Sequence, residues 1–163
     1  MNSNKYEKNK IIDPVTLKSV QICSNRGRQL MKEYMKCYFD EYLHKTMTDW
    51  NYILPQELHG KNPNDYFILD VRNPKDYKKG HIPGTAMNIF WLDLMKPENL
   101  NKLPKNKEII IVCYLGHTAS QILVLLKLLG YNARVLKFGM GISPKKSVPV
   151  VGWTNYGYEL EED

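Results

Sequence analysis

The sequence predicts a three-layer α/β/α domain with a five-stranded parallel sheet, preceded by an N-terminal helical extension. From Trp50 onward, short runs of β-forming residues alternate with helix and turn signals. Two of these runs, 67–69 and 109–112, are continuously apolar, as expected of parallel strands that are covered on both faces. The extension is therefore assigned to residues 1–49 and the α/β domain to residues 50–163.

An amphipathic helix is predicted in the extension, beginning near Arg28, because Asn25 and Gly27 would interrupt a helix that began earlier. Apolar side chains recur in it at helical spacing, with charged residues on the other side. The apolar stripe consists of Met31, Tyr34, Met35, Tyr38 and Tyr42. We interpret it as a face that packs on the body of the protein, with partner binding as the alternative.

Five strands and four helices are predicted in the domain. The strands are 50–54, 66–71, 86–89, 108–113 and 133–137. The helices are 55–58, 74–79, 91–95 and 118–129, the last ended by Gly130 as its C′ residue. Ligands of open parallel sheets bind at the carboxyl ends of the strands, and Cys113 lies at such an end.

Cys113 lies where the apolar run 109–112 gives way to Gly116, His117 and Thr118 and then to an apolar helix. The N–H groups of such a turn and the positive end of the helix favour a thiolate over a thiol. We expect the N–H groups of residues 114–118 to converge on one point, and Thr118 to cap the helix or to bond across the loop. Cys113 is thus a candidate nucleophile; the alternative is a small buried apolar residue.

Composition limits the partners and the compartment. The chain has 163 residues and a net charge of +6, but the lysines are scattered, and the basic pair Lys145 and Lys146 lacks interleaved aromatic residues.

The chain has an odd number of cysteines, Cys23, Cys37 and Cys113, and their spacing matches neither a C-x-x-C pair nor a zinc site. No segment is long and apolar enough to cross a bilayer. We expect a cytoplasmic protein without nucleic-acid, membrane or metal binding, in which Cys23 and Cys37 have no chemical role.

Three separated motifs follow one another in the domain. They are Asp70-Val71-Arg72, then Gly80-His81-Ile82-Pro83-Gly84-Thr85-Ala86, then Cys113-Tyr114-Leu115-Gly116-His117-Thr118-Ala119. In order and spacing they resemble the rhodanese family. The resemblance covers roughly residue 51 to the C-terminus, where Gly139-Met140-Gly141 and Gly152-Trp153 are similar to the closing segment of that family.

The resemblance implies a sulfurtransferase or sulfur carrier. Cys113 would take a sulfane sulfur from a small donor, thiosulfate or a persulfide, and hold it as a persulfide. It would then pass the sulfur to a thiol, to a cyanide-like acceptor or to a protein acceptor, without a cofactor. The matching loop and substrate-binding residues are Tyr114, Leu115, Gly116, His117, Thr118 and Ala119.

Several residues outside the cysteine are given supporting roles. Asp70 and Arg72 are interpreted as an ion pair or hydrogen-bond network beside the loop, and His81 as a structural histidine. His117 is interpreted as a proton donor, an anion partner or a residue of the rim. The acidic residues 159, 161, 162 and 163 are expected to form a solvated tail.

Two departures from the family pattern bear on the donor. The two-domain thiosulfate enzymes of the family carry a basic residue where this chain has Asp76, and a lysine where it has Leu115. An apolar Leu115 beside an acidic Asp76 offers the thiosulfate dianion no compensating charge. The apolar mouth formed by Tyr114 and Leu115 therefore favours a protein persulfide or a small persulfide as donor.

Two other functions were weighed against sulfur transfer. Phosphatases and arsenate reductases of this fold close their loop with an arginine, whereas this chain has Ala119 and Ser120 at that point, which disfavours this class. A rhodanese-fold module that binds a partner or senses oxidants without turnover stays an alternative. In that case the N-terminal helix would recruit the partner.

Overall fold

The computed structural model describes residues 10–12, 16, 19–21, 23–46, 50–142 and 151–163. It divides into two compact units at the boundary between Asp49 and Trp50. Every candidate site residue belongs to the second unit. None of the helices in the described ranges combines the length and the apolar character needed to span a membrane.

The described residues of the first unit form a pair of short strands and a long helix. Strand β1 (Lys10–Ile12) pairs antiparallel with β2 (Ser19–Gln21), and helix α1 (Asn25–Thr46) follows. The sequence pattern does not predict the strand pair, because three residues are too few to show an alternation of side chains. The role of the apolar stripe of α1 stays a prediction. The side chains of Cys37 and Tyr42, and both Lys145 and Lys146, lie outside the described residues.

Helix α1 begins at Asn25, so the predicted start near Arg28 is wrong. Ser24 is the reason, because its hydroxyl oxygen accepts the Gly27 N–H at 3.0 Å while its carbonyl accepts the Arg28 N–H at 2.9 Å. This cap satisfies a donor that the first helical turn leaves without a partner. Gly27 therefore takes part in the first turn instead of interrupting the helix.

The second unit is built on a five-stranded parallel sheet in the order β3-β7-β6-β4-β5. The strands are β3 (Tyr52–Ile53), β4 (Tyr66–Asp70), β5 (Met87–Asn88), β6 (Glu108–Val112) and β7 (Ala133–Leu136). The predicted fold class and all five predicted strands are confirmed. Strand β6 lies at the centre, so whatever follows it emerges in the middle of the carboxyl edge.

Within 50–142 and 151–163, four helices and two 3-10 segments complete this unit. The helices are α2 (Pro55–His59), α3 (Pro74–Tyr77), α4 (Pro97–Leu100) and α5 (His117–Leu128), and the 3-10 segments are Pro63–Asp65 and Trp153–Tyr156. Helix α5 ends as predicted at Gly130, where the N–H of Tyr131 bonds to the carbonyl of Leu126 and the N–H of Gly130 to that of Lys127.

The predicted helix 91–95 is wrong, because that segment consists of turns and the helix follows at Pro97. The carbonyl of Asp93 accepts the N–H of Lys96 and the side-chain amide of Asn99, at 2.8 Å for the amide. Both bonds hold a turn in place of a continuous helical ladder. Pro97 then occupies the first helical position, where its missing N–H is tolerated.

Two apolar cores cover the two faces of the sheet, which gives the three layers that the sequence predicts. Along β6, Ile109 and Ile111 join the core on the α5 side, whereas Ile110 and Val112 join the core that contains Trp153. All four side chains are fully buried. The continuously apolar run therefore reflects burial on both faces of the sheet. Because side chains alternate between the two faces, Cys113 belongs to the same core as Ile109 and Ile111.

Candidate active site

Cys113 follows β6 directly and is only 2% exposed. Its sulfur accepts the N–H of Gly116 at 3.1 Å and the N–H of Ala119 at 3.4 Å. Of the N–H groups of residues 114–118 that were expected to converge, that of Gly116 donates to the sulfur, and the second donor, Ala119, lies beyond the predicted range. Two N–H dipoles aimed at one sulfur favour an anionic form of that sulfur.

The loop after Cys113 leads straight into α5. Gly116 occupies the N-cap position with a φ of 91°, and the helix begins at His117. Thr118 therefore lies within the first turn, and its expected role as the cap is wrong. No side chain caps the first turn; the Gly116 carbonyl accepts the N–H of Ser120 as the first helical bond and the Ser120 hydroxyl as a second donor, both at 2.9 Å.

Four further N–H groups of the loop, those of Tyr114, Leu115, His117 and Thr118, donate to no residue in the described ranges. Those of His117 and Thr118 belong to the first turn of α5, where helices have unsatisfied donors and a positive dipole end. The arrangement can therefore stabilise negative charge at and just beyond the sulfur of Cys113.

A second backbone segment, Phe138 to Gly141, supports the loop from behind. The N–H of Met140 donates to the Cys113 carbonyl at 2.9 Å, and that of Gly141 to the Tyr114 carbonyl at 3.0 Å. Gly139 has a φ of 54°, and a Cβ at this position would lie 2.2 Å from the Cys113 carbonyl oxygen. Only glycine fits such an approach, so the glycines that resemble the closing segment of the family hold the loop in place.

Asp70 and Arg72 form a buried ion pair, as the sequence analysis expects. The two side chains are 1% and 2% exposed, and Arg72 Nη2 lies 2.7 Å from Asp70 Oδ2. Arg72 Nε also donates to the carboxylate, at 2.9 Å, and Nη2 donates to the Gly80 carbonyl at 2.9 Å. The guanidinium lies 6.0 Å from the centre of the Tyr114 ring, which connects the pair with the loop. That it supports catalysis stays a prediction.

Asp76 has a role that the sequence analysis misses, because Tyr114 donates to it at 2.6 Å. This bond is the main cause that lowers the pKa of Asp76, and Lys79 adds to it from 3.3 Å. Burial, followed by the bond to Asp76, raises the pKa of Tyr114 to about 12. The phenol thus stays a donor throughout the neutral range. Asp76 and Tyr114 are 38 positions apart, so no local pattern could have paired them.

His117 is exposed at the start of α5 and borders a cavity beside the loop. Lys137, just after β7, borders the same cavity. Lys137 belongs to none of the three sequence motifs that predict the site. The order of the strands brings Lys137 to the site, because β7 pairs with β6 and both strands end at the same edge of the sheet.

His81 is buried and structural in its contacts, and it anchors the acidic C-terminal segment, whose residues 159, 161, 162 and 163 are exposed as the sequence predicts but do not form a free tail. The His81 ring stacks on Tyr77 at 4.0 Å, and its Nδ1 lies 3.3 Å from the Tyr77 carbonyl. His81 and Glu161 exchange both backbone hydrogen bonds at 2.9 Å, which anchors the segment to the domain. Glu161 also reaches the N–H of Gly84 at 3.3 Å.

Comparison with known proteins decides the family. The model of the Rhodanese-like domain matches residues 54–141, which include Cys113, Asp70 and Arg72. This chain belongs to the rhodanese-like domain family. The match ends before Gly152 and Trp153, so the resemblance of that last segment stays an interpretation. Rhodanese-like membership confirms the family that the three motifs indicate.

Relatives of this rhodanese-like chain agree in fold. The thiosulfate sulfurtransferase GlpE of Stutzerimonas stutzeri (strain A1501) is 30% identical over 74 residues, which are 45% of this chain and 64% of that protein. The match therefore spans less than two thirds of the relative. A rhodanese-like domain protein from Staphylococcus aureus is 27% identical with a TM-score of 0.53, over 69% of this chain and 97% of its own. A rhodanese-related protein from Thermoplasma volcanium is 24% identical with a TM-score of 0.55, over 68% and 97%.

Proposed function

We propose that this rhodanese-like protein is a sulfurtransferase or sulfur carrier that works through a persulfide on Cys113. The observation that carries the proposal is the position of the Cys113 sulfur, which accepts two N–H groups at the start of α5. The other described cysteine, Cys23, is exposed and belongs to the first unit. Of the two cysteines whose side chains are described, Cys113 thus has the surroundings that an anionic sulfur nucleophile requires.

Sulfur transfer at Cys113 is an exchange between sulfur atoms. The Cys113 thiolate attacks the terminal sulfur of a donor R–S–S⁻, a new S–S bond forms, the donor S–S bond breaks, and R–S⁻ leaves with its electron pair. An acceptor such as cyanide then attacks the outer sulfur, so that thiocyanate forms and the Cys113 thiolate returns. Charge and electrons balance in each step, and no external oxidant or reductant takes part.

The loop is suited to both steps of the reaction, the loading of Cys113 and the transfer to the acceptor, because each involves an anionic sulfur. The donor and the thiolate are both negative, so their approach requires positive potential that remains in place throughout the reaction. The N–H groups of Tyr114, Leu115, His117 and Thr118 face no described acceptor, and they would bind the outer sulfur once it is transferred. Since they belong to the backbone, they need no reorganisation.

A reducing compartment fits this chemistry, and we place the protein in the cytoplasm. A persulfide cycle requires cysteines that are not held in disulfides, and both described cysteines are free thiols. The acceptor is a thiol, a cyanide-like nucleophile or a protein thiol, because each attacks a sulfane sulfur in the same way.

The test uses wild type, Cys113→Ser and Cys23→Ser as the matched control. Each protein is incubated with thiosulfate or with a small persulfide, and its intact mass and the thiocyanate released by cyanide are measured. A gain of one sulfur atom in the wild type and in Cys23→Ser, absent in Cys113→Ser, supports the proposal. Release of thiocyanate marks turnover, whereas loading without release marks a carrier. If the wild type gains no sulfur from either donor, the proposal fails and the binding or sensing module is favoured.

A further inference from the structure

A cavity of about 220 Å³ lies beside the loop on the side of β7. Its lining includes Leu115, Gly116, His117, Ser120, Lys137 and Phe138. Gly116 connects it with the reacting atom, since the N–H of this residue donates to the Cys113 sulfur. A donor with its terminal sulfur at Cys113 could therefore extend the rest of its structure into this cavity.

Two cavities flank the loop, and they differ in their charge. On the α3 side, Arg72 is paired with Asp70, and Lys79 with Asp76. The positive charges there are compensated within the protein.

On the β7 side, Lys137 forms no ion pair with any carboxylate in the described ranges. Its contact is with the ring of Phe138, whose centre lies 5.5 Å from Nζ. An ammonium without a counterion, on a side chain that borders a cavity, makes the local potential more favourable for anions.

Leu115, Val135 and Phe138 form the apolar part of the cavity wall, and the backbone of Phe138 is held in position. Phe138 has a φ of 59°, which is rare for a bulky residue. Residues around it fix this conformation, because the Phe138 carbonyl accepts the Gly141 N–H at 3.0 Å and the Gly139 N–H bonds to Leu136 at 2.9 Å. Strained backbone that the surroundings enforce is concentrated at functional sites. The Phe138 ring and Leu115 thus offer apolar contact within the cavity that Lys137 borders.

We infer that this cavity binds the carboxylate end of a small organic persulfide, with Lys137 as the residue that selects the anionic donor. This inference rests on the proposed function. The linker between the sulfur and the carboxylate contacts Leu115 and Phe138, and His117 supplies a further polar group in the cavity. Thiosulfate has no linker, since its negative oxygens are bonded to the sulfur next to the transferred atom, so it leaves this cavity unused.

Binding is tested with two thioethers that cannot transfer sulfur, 3-(methylthio)propionate and 3-(methylthio)propanol. Their affinities for the full chain are measured by NMR titration of wild type, Lys137→Met, Lys137→Arg and Lys61→Met. Lys61 is the matched control, because its ammonium also lies over an aromatic ring, 5.1 Å from the centre of Tyr66, and away from the loop. Thermal melts establish that each variant is folded.

Wild type should bind the propionate about tenfold more tightly than the propanol, in keeping with one charge-assisted hydrogen bond. Lys137→Met should remove this preference, whereas Lys137→Arg and Lys61→Met should retain it. Equal affinity for the two thioethers in the wild type, or a preference that survives in Lys137→Met, overturns the inference. These outcomes do not depend on sulfur transfer, so they are separate from a failure of Cys113 to become loaded.

The same variants distinguish the two sources of negative charge in the donor. With the persulfide of 3-mercaptopropionate, Lys137→Met should raise KM about tenfold with little change in kcat. With thiosulfate its KM should stay within about twofold of wild type, since the linker cavity is not used. A tenfold rise with thiosulfate as well would show that Lys137 acts on any anion near the loop, and it would overturn the assignment of a carboxylate subsite.

Discussion

The phenol of Tyr114 donates a 2.6 Å hydrogen bond to the carboxylate of Asp76, and this bond joins the cysteine loop to helix α3. The Asn73 N–H donates to the same phenol oxygen at 3.3 Å, so the ring is fixed from two directions. The residue next to Cys113 is thereby tied to an element that lies far away in sequence. The position of the loop thus depends on a polar contact in addition to the buried core.

We expect Tyr114→Phe to reduce the rate of sulfur loading several-fold and to lower the free energy of unfolding by about 1 kcal/mol, the usual net value of one hydrogen bond. Asp76→Asn should act through the same contact. The double variant should therefore lose less than the sum of the two single losses. Urea denaturation and single-turnover loading measure both effects. Losses that add fully would show that the two residues act independently.

The raised pKa of Tyr114 predicts a loss of stability at alkaline pH. The folded value is about 12 against an ordinary value of 10.0. Because the folded pKa is the higher one, the contribution of the phenol is fully present below pH 10 and is lost as the pH rises towards about 12. The difference in unfolding free energy between wild type and Tyr114→Phe should therefore be constant from neutral pH up to pH 10 and decrease above it. A constant difference throughout that window would contradict the assignment.

Gly139→Ala should damage both the stability and the function of the loop. The new Cβ would meet the Cys113 carbonyl oxygen at 2.2 Å, with a Gly116 nitrogen at 3.1 Å. Gly130→Ala is the matched control, since its φ is also positive, at 80°, but no atom lies within 4 Å of the added Cβ. The control should lose about 1 kcal/mol from backbone strain alone.

For Gly139→Ala we expect a loss of about 3 kcal/mol and little persulfide formation, because strain and steric overlap add. Denaturation curves and intact mass after donor treatment provide the two readouts. Equal losses in the two variants would show that the close approach at Gly139 is unimportant.

Two ion pairs of similar geometry should differ in the stability that is lost when they are broken, because they differ in burial. Asp70 with Arg72 is 1% and 2% exposed, whereas Glu108 with Arg134 is 22% and 24% exposed, with both pairs 2.7 Å apart at their shortest. Asp70→Asn leaves a guanidinium uncompensated in the interior and should cost about 3–5 kcal/mol. Glu108→Gln should cost at most about 1 kcal/mol, since solvent screens the remaining charge. Urea denaturation compares the two, and a comparable loss in both would refute the role of burial.

Much of the framework was predictable from local sequence. The five strands and the end of α5 depend on apolar periodicity and on Gly130, which report structure within a few neighbouring residues. The site residues around Cys113 could be named because the motif is contiguous. The two wrong helix predictions also have local causes. The Ser24 cap lets α1 begin before the predicted residue, and the hydrogen bond to the Asp93 carbonyl holds a turn where a helix was predicted. Apolar periodicity shows neither of these hydrogen bonds.

The sequence by itself determined the α/β framework, the family and the location of Cys113 at the end of a fully buried strand. Tertiary structure alone decided what surrounds that cysteine. The order of the strands brings β7 beside β6, which places Lys137 next to the loop, and the fold brings Asp76 to Tyr114 and Gly139 to Cys113. These contacts join distant parts of the chain, and periodicity carries no information about which loops meet at the edge of a sheet.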